Sequence, residues 1–96
     1  MNTPESAEII KRFYQAFDIL LSTKEIRYTR NFTDKYNIVR PHFLYSKKNP
    51  DSKVFQLSWL SILIRDYGVS SQWLMTGNGE MFVRDKFTKA NSPSQP

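Results

Sequence analysis

The side chains of this chain that could do chemistry are mostly cationic, and they are concentrated in one segment. Of the 96 residues, 14 are Lys or Arg and 9 are Asp or Glu, which gives a formal net charge of +5. Between Lys24 and Lys53 there are eight basic residues and three acidic ones, so this third of the chain carries the whole excess. A local excess of this kind predicts a binding surface for a polyanion, and nucleic acid is the natural partner.

Other kinds of chemistry find little support in the composition. The chain has no cysteine and a single histidine, His42, which excludes a disulfide scaffold and disfavours a metal site or a Ser/His/Asp triad. The glycines of Thr76-Gly77-Asn78-Gly79 follow an apolar helical segment, whereas a phosphate-binding loop follows a strand. We therefore expect no enzyme, no metal, no cofactor and no small-molecule substrate.

The hydropathy pattern predicts a cytoplasmic protein. There is no apolar run long enough to cross a membrane, and the first residues, MNTPESAE, are polar, unlike a signal peptide. We expect no membrane partner, and the absence of cysteine suits a reducing compartment.

Periodic apolar residues predict five helices and no strand, and thus an all-α fold. Helix 1 is predicted to begin at Thr3-Pro4, because threonine is a good N-cap and proline suits the first helical position. Its apolar stripe consists of Ile9, Ile10, Phe13, Phe17, Leu20 and Leu21. Helix 4 is predicted from Val54 to Tyr67 and is apolar around most of its circumference, which favours the centre of a bundle.

Two short helices joined by about four residues are predicted between these long ones. Helix 2 ends near Asn37, and helix 3 runs from Pro41 to about Lys48. The segment FTDKYNIVRPHF resembles the helix-turn-helix of the phage repressor and Cro-like (XRE-type) family, whose regulators are typical of phages and mobile elements. The matching positions are Phe32, Thr33, Tyr36, Asn37, Ile38 and Phe43, with Thr33 and Asn37 in place of the usual alanine and glycine.

The segment YGVSSQWLMTGNGEMF is a more specific match to a subgroup of that family. The matching residues are Val69, Trp73, Leu74, Thr76, Gly77, Gly79, Met81 and Phe82. We expect Ser70 or Ser71 to cap helix 5, Gly77 to end it, and Trp73 and Leu74 to close the opening between helices 1 and 4. The resemblance covers about residues 6–83 and implies a compact, lambda-repressor-like five-helix bundle. We therefore predict a helix-turn-helix DNA-binding domain over 1–83 and a polar, partly disordered tail over 84–96.

The resemblance also implies which residues meet double-stranded DNA. Helix 3 would enter the major groove, and the predicted base contacts are Arg40, His42, Leu44 and Tyr45. The predicted phosphate contacts are Thr29, Arg30, Lys47, Lys48 and Lys53. The residues leave the rotation of helix 3 open, since either Phe43 or Leu44 can point inward and Ser46 falls where the family prefers an apolar residue.

The function that follows is a sequence-specific, double-stranded DNA-binding transcriptional regulator of phage-repressor type. The alternative is a protein-interaction module, antitoxin-like or adaptor-like, with a degenerate helix-turn-helix, as Pro41 and Ser46 are unusual in a recognition helix. The operator sequence, the direction of regulation and the formation of a homodimer are open at this point.

Overall fold

The computed structural model describes residues 4–83, with side chains from Glu5 onward. Its helices are α1 (Pro4–Ser22), α2 (Thr29–Lys35), α3 (Arg40–Lys48), α4 (Leu57–Tyr67) and α5 (Ser71–Thr76). In this part of the chain, β-structure is limited to an isolated antiparallel bridge between Val69 and Phe82. The predicted all-α class is confirmed. The predicted cap at Thr3 and the predicted tail over 84–96 lie outside the described residues.

The chain divides into two compact units between Leu57 and Ser58. The first unit contains α1, α2 and α3, and the second contains α5 and all of α4 except its first residue. Across residues 4–83, no helix is long and apolar enough to cross a membrane.

Aromatic rings form the core of the first unit. The ring of Phe17 on α1 lies 5.0 Å from that of Phe32 on α2 and 5.0 Å from that of Phe43 on α3, in edge-on packing. Phe32 and Phe43 are 5.5 Å apart, so each of the three helices contributes one ring to this cluster. The predicted stripe of α1 accounts for this arrangement, because four of its six residues are buried and the other two are half-buried. The buried four are Ile10, Phe13, Phe17 and Leu20.

Helix α4 differs from its prediction at its first turn. It begins at Leu57 and not at Val54, and the residues before it are not helical. The ring of Phe55 instead packs edge-on against Phe13, at 5.0 Å. Apolar spacing cannot separate a helical residue from a loop residue that reaches the core, and this is why the predicted start was too early.

One side of α4 is buried and the other is exposed. The buried residues are Trp59, Leu60, Ile62 and Leu63. Leu57 is 79% exposed and Ile64 is also exposed. The sequence of α4 is therefore apolar around most of the helix, but the helix is not buried on all sides.

Helix α5 has the ends that the sequence predicts. The Ser70 side chain accepts a hydrogen bond from the Trp73 backbone N–H, at 3.1 Å, and Gly77 adopts a left-handed conformation with φ 81°. The chain then folds back, since the backbone N–H of Ser70 donates to the Met81 carbonyl at 2.8 Å. Trp73 and Leu74 are buried. Their role in closing the opening between α1 and α4 stays a prediction.

Candidate functional site

The turn between α2 and α3 is built by local backbone geometry. Asn37 adopts a left-handed conformation with φ 57°, as predicted for a residue that replaces glycine in a tight turn. The backbone N–H of Ile38 donates to the Thr33 carbonyl at 2.8 Å, which closes the end of α2. Pro41 is in the first turn of α3, where its missing N–H breaks no helical hydrogen bond. These features hold two short helices on a four-residue connection.

The structure decides the rotation of α3. Phe43 is 1% exposed and Ser46 is fully buried, whereas Leu44 is 43% exposed and Tyr45 is 53% exposed. Phe43 therefore points inward and Leu44 points outward, and the reading in which Leu44 belongs to the core is wrong. The physical reason is the cluster of rings from α1 and α2, which surrounds Phe43 and leaves Leu44 on the opposite side.

A buried polar contact ties α3 to α1. The Tyr14 hydroxyl donates a hydrogen bond to the Phe43 carbonyl at 2.7 Å, and the two rings pack edge-on at 5.2 Å. Burial raises the pKa of the Tyr14 phenol well above its ordinary value, and the nearby Ser46 hydroxyl offsets part of that rise. Ser46 Oγ is buried and has no hydrogen-bond partner of good geometry within the described part of the chain.

The outward side of α3 carries four exposed residues at helical spacing. Pro41, Leu44, Tyr45 and Lys48 are all exposed and stand at i, i+3, i+4 and i+7, which places them on one helix face. We call these four residues the outer face of α3. It contains two of the predicted base contacts, and the other two, Arg40 and His42, are exposed on either side of it.

Two predicted cationic contacts are engaged in ion pairs. Lys47 Nζ lies 2.8 Å from Asp18 Oδ1 on α1, and Arg40 Nη1 lies 3.9 Å from Asp34 Oδ1 on α2. All four side chains are at least one third exposed, so each pair contributes little stability, of the order of 1 kcal/mol or less. The pairs nevertheless reduce the positive potential on one flank of α3.

Three of the four remaining predicted phosphate contacts lie on elements other than α3. Thr29 is half-buried and Arg30 exposed, both in the first turn of α2, and Lys53 is exposed in the loop after α3. Lys48 is exposed on the outer face of α3. The structure thus gathers the predicted base contacts on one short helix, while the predicted phosphate contacts are spread over α2, α3 and a loop.

Sequence reasoning missed two residues of α1 that contact this helix. Tyr14 follows Phe13 in the α1 stripe, and Asp18 precedes the exposed Ile19. Each contacts a residue 29 positions further along the chain, and no local pattern indicates such a partner.

The chain gave no match in comparisons with protein-family models, with curated proteins or with solved structures. Among residues 4–83, no cluster of His, Asp and Glu side chains could hold a metal ion.

Proposed function

We propose that this protein is a sequence-specific, double-stranded DNA-binding transcriptional regulator that uses α3 as its recognition helix. The observation that carries the proposal is the outer face of α3, with Leu44, Tyr45 and Lys48 exposed on a short helix whose opposite side is packed into an aromatic core. A rigid helix with exposed polar and apolar side chains fits the major groove. The excess positive charge between Lys24 and Lys53 supports the same proposal.

In this mechanism different side chains of α3 contact different groups on the base edges. Arg40 would offer its planar fork to guanine O6 and N7 after leaving Asp34, at small cost because that pair is long and exposed. Leu44 would touch a thymine methyl group, while Tyr45 and His42 would hydrogen-bond to base edges. These contacts would supply the sequence preference.

Phosphate contacts would position α3 and supply most of the affinity. Lys48 and Lys53 are exposed cations without a carboxylate within ion-pair distance in the described part of the chain. Thr29 and Arg30 would add contacts from the first turn of α2. Lys47 would contribute less than its neighbour Lys48, since Asp18 already neutralises it.

The test is selection of bound duplexes from a random pool at near-physiological salt. Recovery of a motif would support the regulator, and recovery of no motif by a folded protein would refute it. Sedimentation of the protein with the recovered duplex would then determine whether one or two copies bind.

The second candidate is a protein-interaction module of antitoxin or adaptor type. It is favoured by the exposed apolar surface around α3, where Val39 accompanies Leu44 and Tyr45, and by the ion pairs that reduce the charge of Arg40 and Lys47. The selection experiment separates the two candidates, since an adaptor would enrich no sequence and its weak DNA binding would vanish with salt.

A further inference from the structure

We infer that Tyr14 is the positioning residue that fixes how α3 presents its outer face to DNA. The inference rests on the proposed function and adds a determinant of specificity on α1, outside the recognition helix itself. Its observation is the buried hydrogen bond of 2.7 Å from the Tyr14 hydroxyl to the Phe43 carbonyl.

The need for such a residue follows from the small size of α3. The helix has nine residues, of which Phe43 and Ser46 are buried, and a helix this short is marginal without tertiary contacts. The ring contacts of Phe43 are apolar and are compatible with a range of ring distances and tilts, so they constrain a small rotation of the helix only weakly. A hydrogen bond to a backbone carbonyl is directional and weakens when the helix turns.

A small rotation is enough to disturb base reading. An atom about 6 Å from the helix axis moves by about 1 Å when the helix turns by about 10°. Binding groups must be held within about 0.5 Å of their productive positions, so such a shift would spoil contacts from Leu44, Tyr45 or Arg40. Contacts to phosphate would suffer less, because a lysine side chain is flexible and acts as a point charge.

Ser46 fits the same arrangement. It is fully buried about one turn after Phe43, on the same side of α3. Burial raises the pKa of the Tyr14 phenol, and the nearby Ser46 hydroxyl lowers it in part.

The experiment compares Tyr14→Phe with a matched core variant, Ile26→Val. Ile26 is buried in the loop after α1 and belongs to the same unit, so its loss of one methylene lowers stability without removing a bond to α3. The measured quantity is the affinity for the selected duplex divided by the affinity for a scrambled duplex, at constant salt and at a temperature where every variant is folded. We expect Tyr14→Phe to lower this ratio by at least about threefold, mostly through the selected duplex, and Ile26→Val to leave it unchanged.

Ser46→Ala provides a second comparison. It leaves room for the phenol and removes a hydroxyl that makes no hydrogen bond in the described part of the chain, so we expect the ratio to stay unchanged. Equal ratios for Tyr14→Phe and Ile26→Val, or an equal loss in Tyr14→Phe and Ser46→Ala, would overturn the inference.

A measurement without DNA separates this inference from the proposed function. Residual dipolar couplings of the α3 amides report the orientation of α3 relative to α1, and we expect them to change in Tyr14→Phe and not in Ile26→Val. A parent protein that shows no sequence preference would refute the proposed function alone. Unchanged couplings in Tyr14→Phe would refute the positioning role whatever the DNA result.

Discussion

Two neighbouring lysines of α3 differ in their surroundings, and the difference makes a quantitative prediction about DNA binding. Lys48 lies on the outer face, whereas Lys47 forms an ion pair of 2.8 Å with Asp18. We expect Lys48→Gln to weaken binding to every duplex, and we expect the double variant Lys47→Gln/Asp18→Asn to change it little. The double variant removes a neutral unit, so the net charge facing DNA stays the same.

The magnitude follows from counterion release. Each neutralised phosphate contributes a slope of about −0.9 to the plot of log affinity against log salt. At about 0.15 M salt, the logarithm of the salt concentration relative to 1 M is about −0.8. One lost contact therefore lowers log affinity by about 0.9 × 0.8, or about 0.7, which is about a fivefold loss for Lys48→Gln. For the double variant we expect a change of less than about twofold, because an exposed surface pair contributes little to stability or to the local field.

The assay is fluorescence anisotropy with a labelled duplex at several salt concentrations between about 50 and 200 mM. Lys35→Gln is the matched control, since it removes the same charge from an exposed lysine of the same unit that has no predicted DNA contact. Because Lys35 also lies in the segment from Lys24 to Lys53, equal losses for Lys48→Gln and Lys35→Gln would refute the placement of the phosphate contact on the outer face of α3. A fivefold loss in the double variant would show that Lys47 leaves Asp18 to bind phosphate.

Three further predictions concern Arg40, Trp73 and Asn37. Arg40→Ala should lose about tenfold in affinity for the selected duplex and far less for random DNA. Arg40→Lys should not restore the sequence preference, because lysine lacks the planar fork of arginine. Full recovery of the preference by Arg40→Lys in the selection assay would mean that Arg40 contacts only phosphate. Trp73→Ala should cost about 3–5 kcal/mol, since Trp73 is buried, and should leave much of the protein unfolded at 37 °C. A melting curve identical to the parent's would contradict this. Asn37→Ala should destabilise by about 1 kcal/mol in urea titrations, because alanine strains a backbone at φ 57°, and Asn37→Gly should not. Equal urea midpoints for Asn37→Ala and Asn37→Gly would contradict the prediction that the left-handed backbone at this turn strains alanine.

Local signals in the sequence predicted most of the helix ends. Ser70 and Gly77 bracket α5, Asn37 forms the left-handed turn after α2, and Pro41 lies in the first turn of α3. A cap or a left-handed turn depends on one residue and its immediate backbone, so the residue type is enough to predict it. The start of α4 was missed because the apolar character of Phe55 serves the aromatic core of the first unit, and spacing alone cannot tell a core loop from a helical turn.

By itself, then, the sequence determined the all-α class, the positions of the short helices and the concentration of positive charge between Lys24 and Lys53. The tertiary structure alone decided which side of α3 faces outward. Phe43, Leu44 and Tyr45 are consecutive and all large, so several rotations of α3 would bury an apolar residue. The rings on α1 and α2 that pack against Phe43 determine which rotation the helix adopts. It also decided that Lys47 is paired while Lys48 has no ion pair among residues 4–83, because Asp18 is remote in sequence and reaches Lys47 only when α3 packs against α1.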